Sequence, residues 1–402
     1  MKNSSEADLP LSGYRVLDLS RILAGPYCTM ILGDQGAEVI KVERPGTGDD
    51  TRTWGPPFAG GESAYYLCCN RNKKSIAIDL KDPRGANLVR EMAKVSDVFV
   101  ENFTPGLTKR FGLDYESLRE LNPRLVYCSI TAYGQDGPYR DRPGYDMVLS
   151  AVGGLMWITG ERDGNPCKVG VAITDVLTGV YASGAITAAL LWRERSGRGQ
   201  FIDCSLLDAQ VSALANIASN YLVAGQEATR WGTQHESILP YQVFPTKDRP
   251  IAIAVANDKL WVNFCELIEK KEWIEDPRFS SNPKRVENRE MLLPLVANVM
   301  AQKTCDEWIE SFVRAAIPCG PVNNMEHLFA DPQVVHRKMI AEIPHPTIGT
   351  LRLTGVPLKY SETPGTIRRP PPLLGEHTDE VLAEVLGYPP DKVEALRRHG
   401  TI

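Results

Sequence analysis

Asp175 is the only formal charge between Val169 and Trp192, a stretch otherwise built of small and apolar residues. An ionised carboxylate in apolar surroundings is costly unless it is hydrogen-bonded, paired or placed at a helix start. Two reasons for it are open. Thr174 or Asp175 can cap the helix that follows, accepting backbone N–H groups at the positive end of its dipole. Alternatively, the carboxylate is a nucleophile kept dry for attack on an acyl group. Cationic side chains that could meet a phosphate or a second carboxylate stand at Arg44, Arg52, Arg71-Asn-Lys-Lys74 and Arg110. Other chemistries have less support. All six histidines, from His235 onward, lie in the C-terminal part, and no His-x-x-x-His spacing suggests a metal site. There is no Gly-x-Ser-x-Gly elbow. The nine cysteines, with Cys68 and Cys69 adjacent, contain no Cys-x-x-Cys and read as mostly reduced and buried.

The elements that must position Asp175 alternate strand and helix. Strands are expected at 14–20, 37–43, 75–80, 97–101, 125–131 and 201–205, with helices at 26–33, 82–95, 107–121, 147–158 and from Asp175 onward. That order predicts an α/β fold with a parallel sheet covered on both faces. The first strand–helix turn reads Arg21-Ile-Leu-Ala-Gly-Pro26 rather than Gly-x-Gly-x-x-Gly, so a nicotinamide cofactor is a poor fit. Gly179, Ala182, Gly184, Ala185 and Ala188 predict close packing for the helix that Asp175 opens. The doubly wound pattern stops near Ala224. A strand at 250–256 and amphipathic helices at 261–270, 289–300 and 305–313 then point to a second, smaller domain.

With 402 residues, 43% hydrophobic and 24% charged, the chain reads as globular and large enough for two domains. A net charge of −5 leaves no basic footprint for nucleic acid, and no apolar run is long and charge-free enough to predict a membrane span. The N-terminus lacks the apolar core of a signal peptide and carries acids, which predicts a cytoplasmic protein, with the mitochondrial matrix as the alternative.

The chain resembles the family III CoA-transferases (CaiB/BaiF type). The resemblance rests on Leu23-Ala-Gly-Pro26, the run Leu32–Arg44, Asn72-Lys-Lys-Ser75, Asp97–Asn102, Gly197-Arg-Gly-Gln200, Ile317-Pro-Cys-Gly-Pro321 and Pro372-Leu-Leu-Gly-Glu-His-Thr378. It implies a Rossmann-like large domain built from both chain ends (1–225 and 331–402), a smaller α+β domain (226–330) and an interlocked homodimer. No cofactor is held permanently; coenzyme A enters as substrate. The positions matching the family's CoA contacts are Leu23, Ala24, Arg44, Ile78, Asp79, Leu80, Lys81, Asn102, Phe103, Thr104, Arg110, Pro143, Gly144 and Asp146. The position matching Asp175 is the family's catalytic aspartate, which forms an aspartyl anhydride and then an aspartyl-CoA thioester.

The racemase branch of the family moves a proton with a histidine–aspartate pair and a glutamate. Here Tyr145 stands for that histidine and Asn257 for that glutamate. Transferase chemistry is therefore expected, with Tyr145 able to hydrogen-bond an intermediate. Formyl-CoA transferase covers the site with a glycine run where this chain reads Arg230–Gln242, which places formate and oxalate in doubt as substrates. The chain looks closest to the branch serving dicarboxylates, implying succinyl-CoA as donor and glutarate or 3-hydroxy-3-methylglutarate as acceptor. Arg52, Lys168 and His235 are then candidate contacts for the distal carboxylate, each also readable as a structural residue. The alternatives are a 2-methylacyl-CoA racemase, a transferase for oxalate or malate, and a non-enzymatic CoA-binding protein.

Overall fold

The computed structural model describes residues 9–402; residues 1–8, read above for a leader, lie outside them. The described chain divides into two compact units. One takes in the residues up to Leu155, Lys168–Gln226 and Gln333–Ile402; the other comprises Met156–Cys167 and Glu227–Pro332.

The first unit is built on six parallel strands: β1 (Arg15–Asp18), β2 (Glu38–Glu43), β3 (Lys73–Ala77), β4 (Val98–Glu101), β5 (Val126–Thr131) and β6 (Phe201–Ser205). Their order, β3-β2-β1-β4-β5-β6, is that of a doubly wound sheet whose direction of growth reverses beside β1. Alternate side chains feed two cores. Leu17, Ile40, Ile76, Phe99 and Tyr127 pack with the helices Pro83–Lys94, Thr378–Leu386 and Pro390–Arg398. Val16, Val39, Val98, Val126 and Cys128 pack with the helices Ala24–Asp34 and Ile173–Ser196. The C-terminal segment thus closes one face of a sheet begun at the N-terminus, and Asp79 N–H donates to the carbonyl of Thr401 at 2.9 Å.

The interior of this sheet is charged as well as apolar. Asp18, Lys41 and Lys73 are all fully buried. Asp18 accepts from Ser20 Oγ (2.5 Å), Thr29 Oγ1 (2.6 Å) and Lys73 Nζ (3.2 Å), while Lys41 Nζ donates to Asp49 (2.9 Å) and to the Ser20 carbonyl (2.8 Å). The cost of dehydrating these ions is offset because the buried charges pair and their hydrogen-bonding groups find partners.

The helix Ile173–Ser196 is long and apolar enough to cross a membrane by length and composition, contrary to the sequence expectation. Its apolar face is the inner side of the second core, with Ala182, Ile186, Ala189 and Leu190 buried there. Gly179 sets how closely this helix meets Ala24–Asp34: a Cβ there would stand 2.7 Å from the Ala24 carbonyl oxygen and 3.2 Å from the Cys28 nitrogen. Gly184, by contrast, faces open space and is not part of that contact.

The second unit carries a three-stranded antiparallel sheet of β7 (Tyr241–Phe244), β8 (Ile251–Ala254) and β9 (Cys319–Pro321), with β8 central. Trp261, Phe264, Trp308 and Phe312 fill its core. The expected division assigned 156–167 to the larger part. In the structure those residues join the second unit because Trp157 Nε1 donates to the Ala228 carbonyl (2.9 Å), Arg230 donates to the Trp157 carbonyl (3.0 Å) and Gly232 N–H donates to Gly160 (2.9 Å).

Candidate active site

Asp175 sits in the first turn of its helix, 8% exposed, and lines a cavity of about 230 Å³ in the first unit. It is not the cap. Neither Thr174 nor the helix's own N-cap residue, Ala172, caps the helix through a side chain. That role falls to Asp146, whose Oδ1 accepts the backbone N–H of Thr174 at 2.8 Å and of Asp175 at 3.3 Å. Thr174 Oγ1 donates instead to Gln210 Oε1 at 2.6 Å. The capping explanation of Asp175 is therefore overturned: a carboxylate from another helix does the capping and leaves the Asp175 carboxylate for the cavity. Burial, and then the Asp146 charge, push the Asp175 carboxyl up from 3.8 to about 7.

The same cavity gathers Leu23, Ala24, Asn102, Phe103, Thr104, Pro143, Gly144 and Tyr145. Leu23 and Ala24 open the helix Ala24–Asp34, which has no side-chain cap, so its first N–H groups face an anion-compatible end of the helix. Asn102 does less than expected as a ligand contact. Its Oδ1 accepts Arg21 N–H (2.8 Å) and its Nδ2 donates to the Arg21 carbonyl (2.7 Å), so the amide holds the turn in which Ile22 adopts φ +71°. Tyr145 is 62% exposed, not a core tyrosine, and its ring forms part of the cavity wall.

A second cavity of about 210 Å³ is lined by Arg44, Ile78, Asp79, Leu80 and Lys81. It shares Arg21, Phe103 and Leu107 with the first. Asp50 bridges the two, accepting from Arg21 (2.8 Å) and Arg44 (2.7 Å). Arg110 lines neither cavity, although Phe111 beside it lines the second.

Of the candidate contacts for a distal carboxylate, neither Arg52 nor Lys168 lines the Asp175 cavity. Arg52 is a structural ion: it donates to Glu43 through Nε (2.9 Å) and Nη2 (2.8 Å), to Tyr66 Oη (2.6 Å), to Glu62 (3.3 Å) and to the Pro372 carbonyl (3.1 Å). It lines neither cavity. Lys168 is exposed, and among the described residues its ammonium bonds only the neighbouring Val169 carbonyl, at 3.4 Å. His235 lies in the second unit, where its Nδ1 accepts Ser237 N–H (3.1 Å) and its ring meets Tyr241 edge-on. Asn257, standing where a racemase carries glutamate, is a helix cap whose Oδ1 accepts Leu260 N–H at 2.9 Å.

Three residues emerge that sequence reasoning passed over. Arg140 and Arg142 line the Asp175 cavity, the latter stacked 3.6 Å from the Tyr139 ring centroid. The clustered charges of Arg140-Asp-Arg142 just before Tyr145 were the available signal. Tyr65 was silent in sequence. Burial, and next the charge of Asp175, raise its phenol pKa, so it lies within electrostatic reach of that carboxylate.

The chain belongs to CoA-transferase family III, which matches residues 11–378. It is an enzyme of that family, a CoA-transferase. It is 49% identical over 393 residues to the human succinyl-CoA:glutarate CoA-transferase, covering 98% of this chain and 90% of that protein. It is 44% identical to the succinate–glutarate CoA-transferase of Agrobacterium fabrum, covering 94% and 96% of the two chains. Among solved structures, a CaiB/BaiF family protein from Brucella suis superposes with a TM-score of 0.85 at 41% identity, covering 94% of this chain and all of the other.

Proposed function

We propose that the enzyme moves CoA from succinyl-CoA to glutarate or 3-hydroxy-3-methylglutarate with Asp175 as covalent carrier. An Asp175 oxygen attacks the thioester carbonyl and expels CoA thiolate, leaving a mixed anhydride. The thiolate then attacks the Asp175 acyl carbon, releasing succinate and leaving an aspartyl-CoA thioester. The acceptor carboxylate attacks that thioester, and the returning thiolate takes the new acyl group and frees Asp175. Water must be kept out, because both intermediates hydrolyse.

The observation that carries this reading is the isolation of Asp175: its backbone is held by Asp146, while among the described residues no hydrogen bond engages its carboxylate oxygens. A group so dehydrated and unpartnered is poised to use its lone pairs on a substrate. The two relatives named for glutarate, at 49% and 44% identity, support the choice of acceptor. We assign the nucleotide end of CoA to the cavity of Arg44 and Ile78–Lys81, and the thioester to the cavity of Asp175 and Tyr145. The assay is a panel of carboxylates offered with succinyl-CoA; glutarate or 3-hydroxy-3-methylglutarate should give the highest kcat/KM, and a preference for oxalate or malate contradicts the assignment.

The working form is an interlocked homodimer on this reading. Its support is the apolar surface of the first unit, where Leu222 and Val223 stand 80% and 87% exposed and Val180, Leu191 and Leu358 flank an open groove. Light scattering after dilution to low nanomolar concentration should still find a dimer, since rings part only by unfolding; a folded, active monomer contradicts it.

A further inference from the structure

Cys68 and Cys69 form a pair that the transfer chemistry does not use. Cys68 is exposed at the end of the short helix Ala64–Leu67, and Cys69 is fully buried behind it. Cys68 is one of the exposed exceptions among cysteines expected to be mostly buried. Hydrogen bonding with Cys69, aided by the charges of Lys73 and Arg71, holds the Cys68 thiol below its ordinary range, while the same bond and burial hold Cys69 above it. One sulfur is thus the exposed, thiolate-prone member, donating to the Tyr65 carbonyl at 3.1 Å, and the other its buried, protonated neighbour in sequence, the arrangement of an attacking and a resolving thiol.

The pair touches the active-site wall. Cys69 packs with Leu23 and Met30, and Ile22, Tyr65, Ala172 and Val176 close around that cluster. Its sulfur lies 3.9 Å from the Ile22 carbonyl oxygen, on the left-handed turn that precedes cavity residues Leu23 and Ala24. Ala172 and Val176 flank Asp175 on its own helix start.

We propose that Cys68 and Cys69 are a peroxide-sensitive dithiol whose oxidation to a vicinal disulfide deforms the Asp175 cavity and whose reduction restores it. The Cys68 thiolate attacks the O–O bond of hydrogen peroxide, giving a sulfenic acid and hydroxide. The Cys69 sulfur then displaces that hydroxyl, forming the S–S bond; its proton leaves with the hydroxide as water. Two thiols lose two electrons and two hydrogens, and one peroxide becomes two waters. Adjacent Cα atoms are about 3.8 Å apart, closer than the roughly 4.4 Å at which ordinary disulfides begin. The bridge is therefore strained and easily reduced, as a reversible switch requires. Forming it draws Cys69 away from Ile22 and Leu23.

The test treats the reduced enzyme with hydrogen peroxide and reads both the peptide Thr53–Arg71 by mass spectrometry and the CoA-transfer rate. The peptide holds both cysteines and no other, and Cys167, also exposed, is the internal control. The expected result is loss of two hydrogens from that peptide, with a fall in rate that dithiothreitol reverses. Cys68→Ser and, separately, Cys69→Ala should lose both the mass change and the reversible inhibition. Oxidation of Cys68 to sulfinic acid without a bridge overturns the proposal, as does a bridge that leaves the rate unchanged. The mass readout stands whichever acyl group the enzyme carries.

Discussion

Asp146 reaches across to the helix of Asp175 and accepts two of its first N–H groups, at 2.8 Å from Thr174 and 3.3 Å from Asp175 itself. One carboxylate thereby fixes the backbone of another while its charge, added to burial, raises the second carboxyl to about 7. A helix start would ordinarily favour the ionised form; here the dehydration works against it and wins. The result is a weakly solvated carboxyl that titrates near neutral pH, at about 7.

Asp146→Asn separates the two roles. The amide oxygen keeps an acceptor for the helix start, but the like charge is gone, so the Asp175 pKa falls. Since attack needs the ionised form, kcat/KM of the parent should rise with pH through about 7, and the midpoint in Asp146→Asn should lie lower. A pH–rate profile of both proteins checks this; an unshifted midpoint removes Asp146 from the account.

Asp175→Asn should abolish transfer yet stabilise the fold. The folded-state pKa of Asp175 lies above its ordinary value of 3.8, so the folded chain binds the extra proton between the two values. Its favourable contribution is complete below the ordinary value and is lost as pH rises through about 7. The amide removes that loss. Well above neutral pH the variant should therefore be more stable by an amount on the order of a few kcal/mol, and the gap should close towards the ordinary carboxylate range. Chemical denaturation of both proteins across pH measures it.

Gly179→Ala should disturb both stability and rate. The added methyl would stand 2.7 Å from the Ala24 carbonyl oxygen and 3.2 Å from both the Cys28 nitrogen and the Tyr27 Cβ, so the two helices must separate. Overpacking of this kind costs about 1–3 kcal/mol. Because Ala24 lines the Asp175 cavity, kcat/KM should fall in the folded enzyme. A thermal melt and a rate measured below its onset give the two numbers.

Arg52→Met should act on stability rather than on the acceptor. The substitution leaves Glu43, with 1% of its side chain exposed, without the guanidinium that pairs it. Breaking a buried pair this way costs about 3–5 kcal/mol, and Glu43→Gln on the same background should recover part of it. The acceptor KM of folded Arg52→Met should stay near the parental value; a selective rise in KM restores Arg52 as a substrate contact.

How far the sequence foretold this site depends on the range over which each residue finds its partners. Asp175 was legible because a lone charge in an apolar helix is a local anomaly, and the strands of the parallel sheet because burial on both faces makes them apolar runs. The role of Asp146 was not, since a cap supplied from a different helix leaves no local signature. Arg52 was misread for the same reason: its partners Glu43, Tyr66 and Pro372 are assembled only by the fold. The strands Tyr241–Phe244 and Cys319–Pro321 escaped because they are short and become a sheet only by pairing with Ile251–Ala254 from distant positions. Asn102 was legible as a wall of the cavity but not as the clamp on Arg21, which depends on two loops meeting at the ends of β1 and β4.

The most direct measurement is the mass of the Asp175 peptide after the enzyme meets succinyl-CoA with no acceptor present, followed by acid quench. An adduct equal to CoA less water, fixed on Asp175, discharged by added glutarate and lacking in Asp175→Asn, is the predicted result. Full turnover by an enzyme that never carries CoA on Asp175, or an adduct that glutarate does not discharge, contradicts the account.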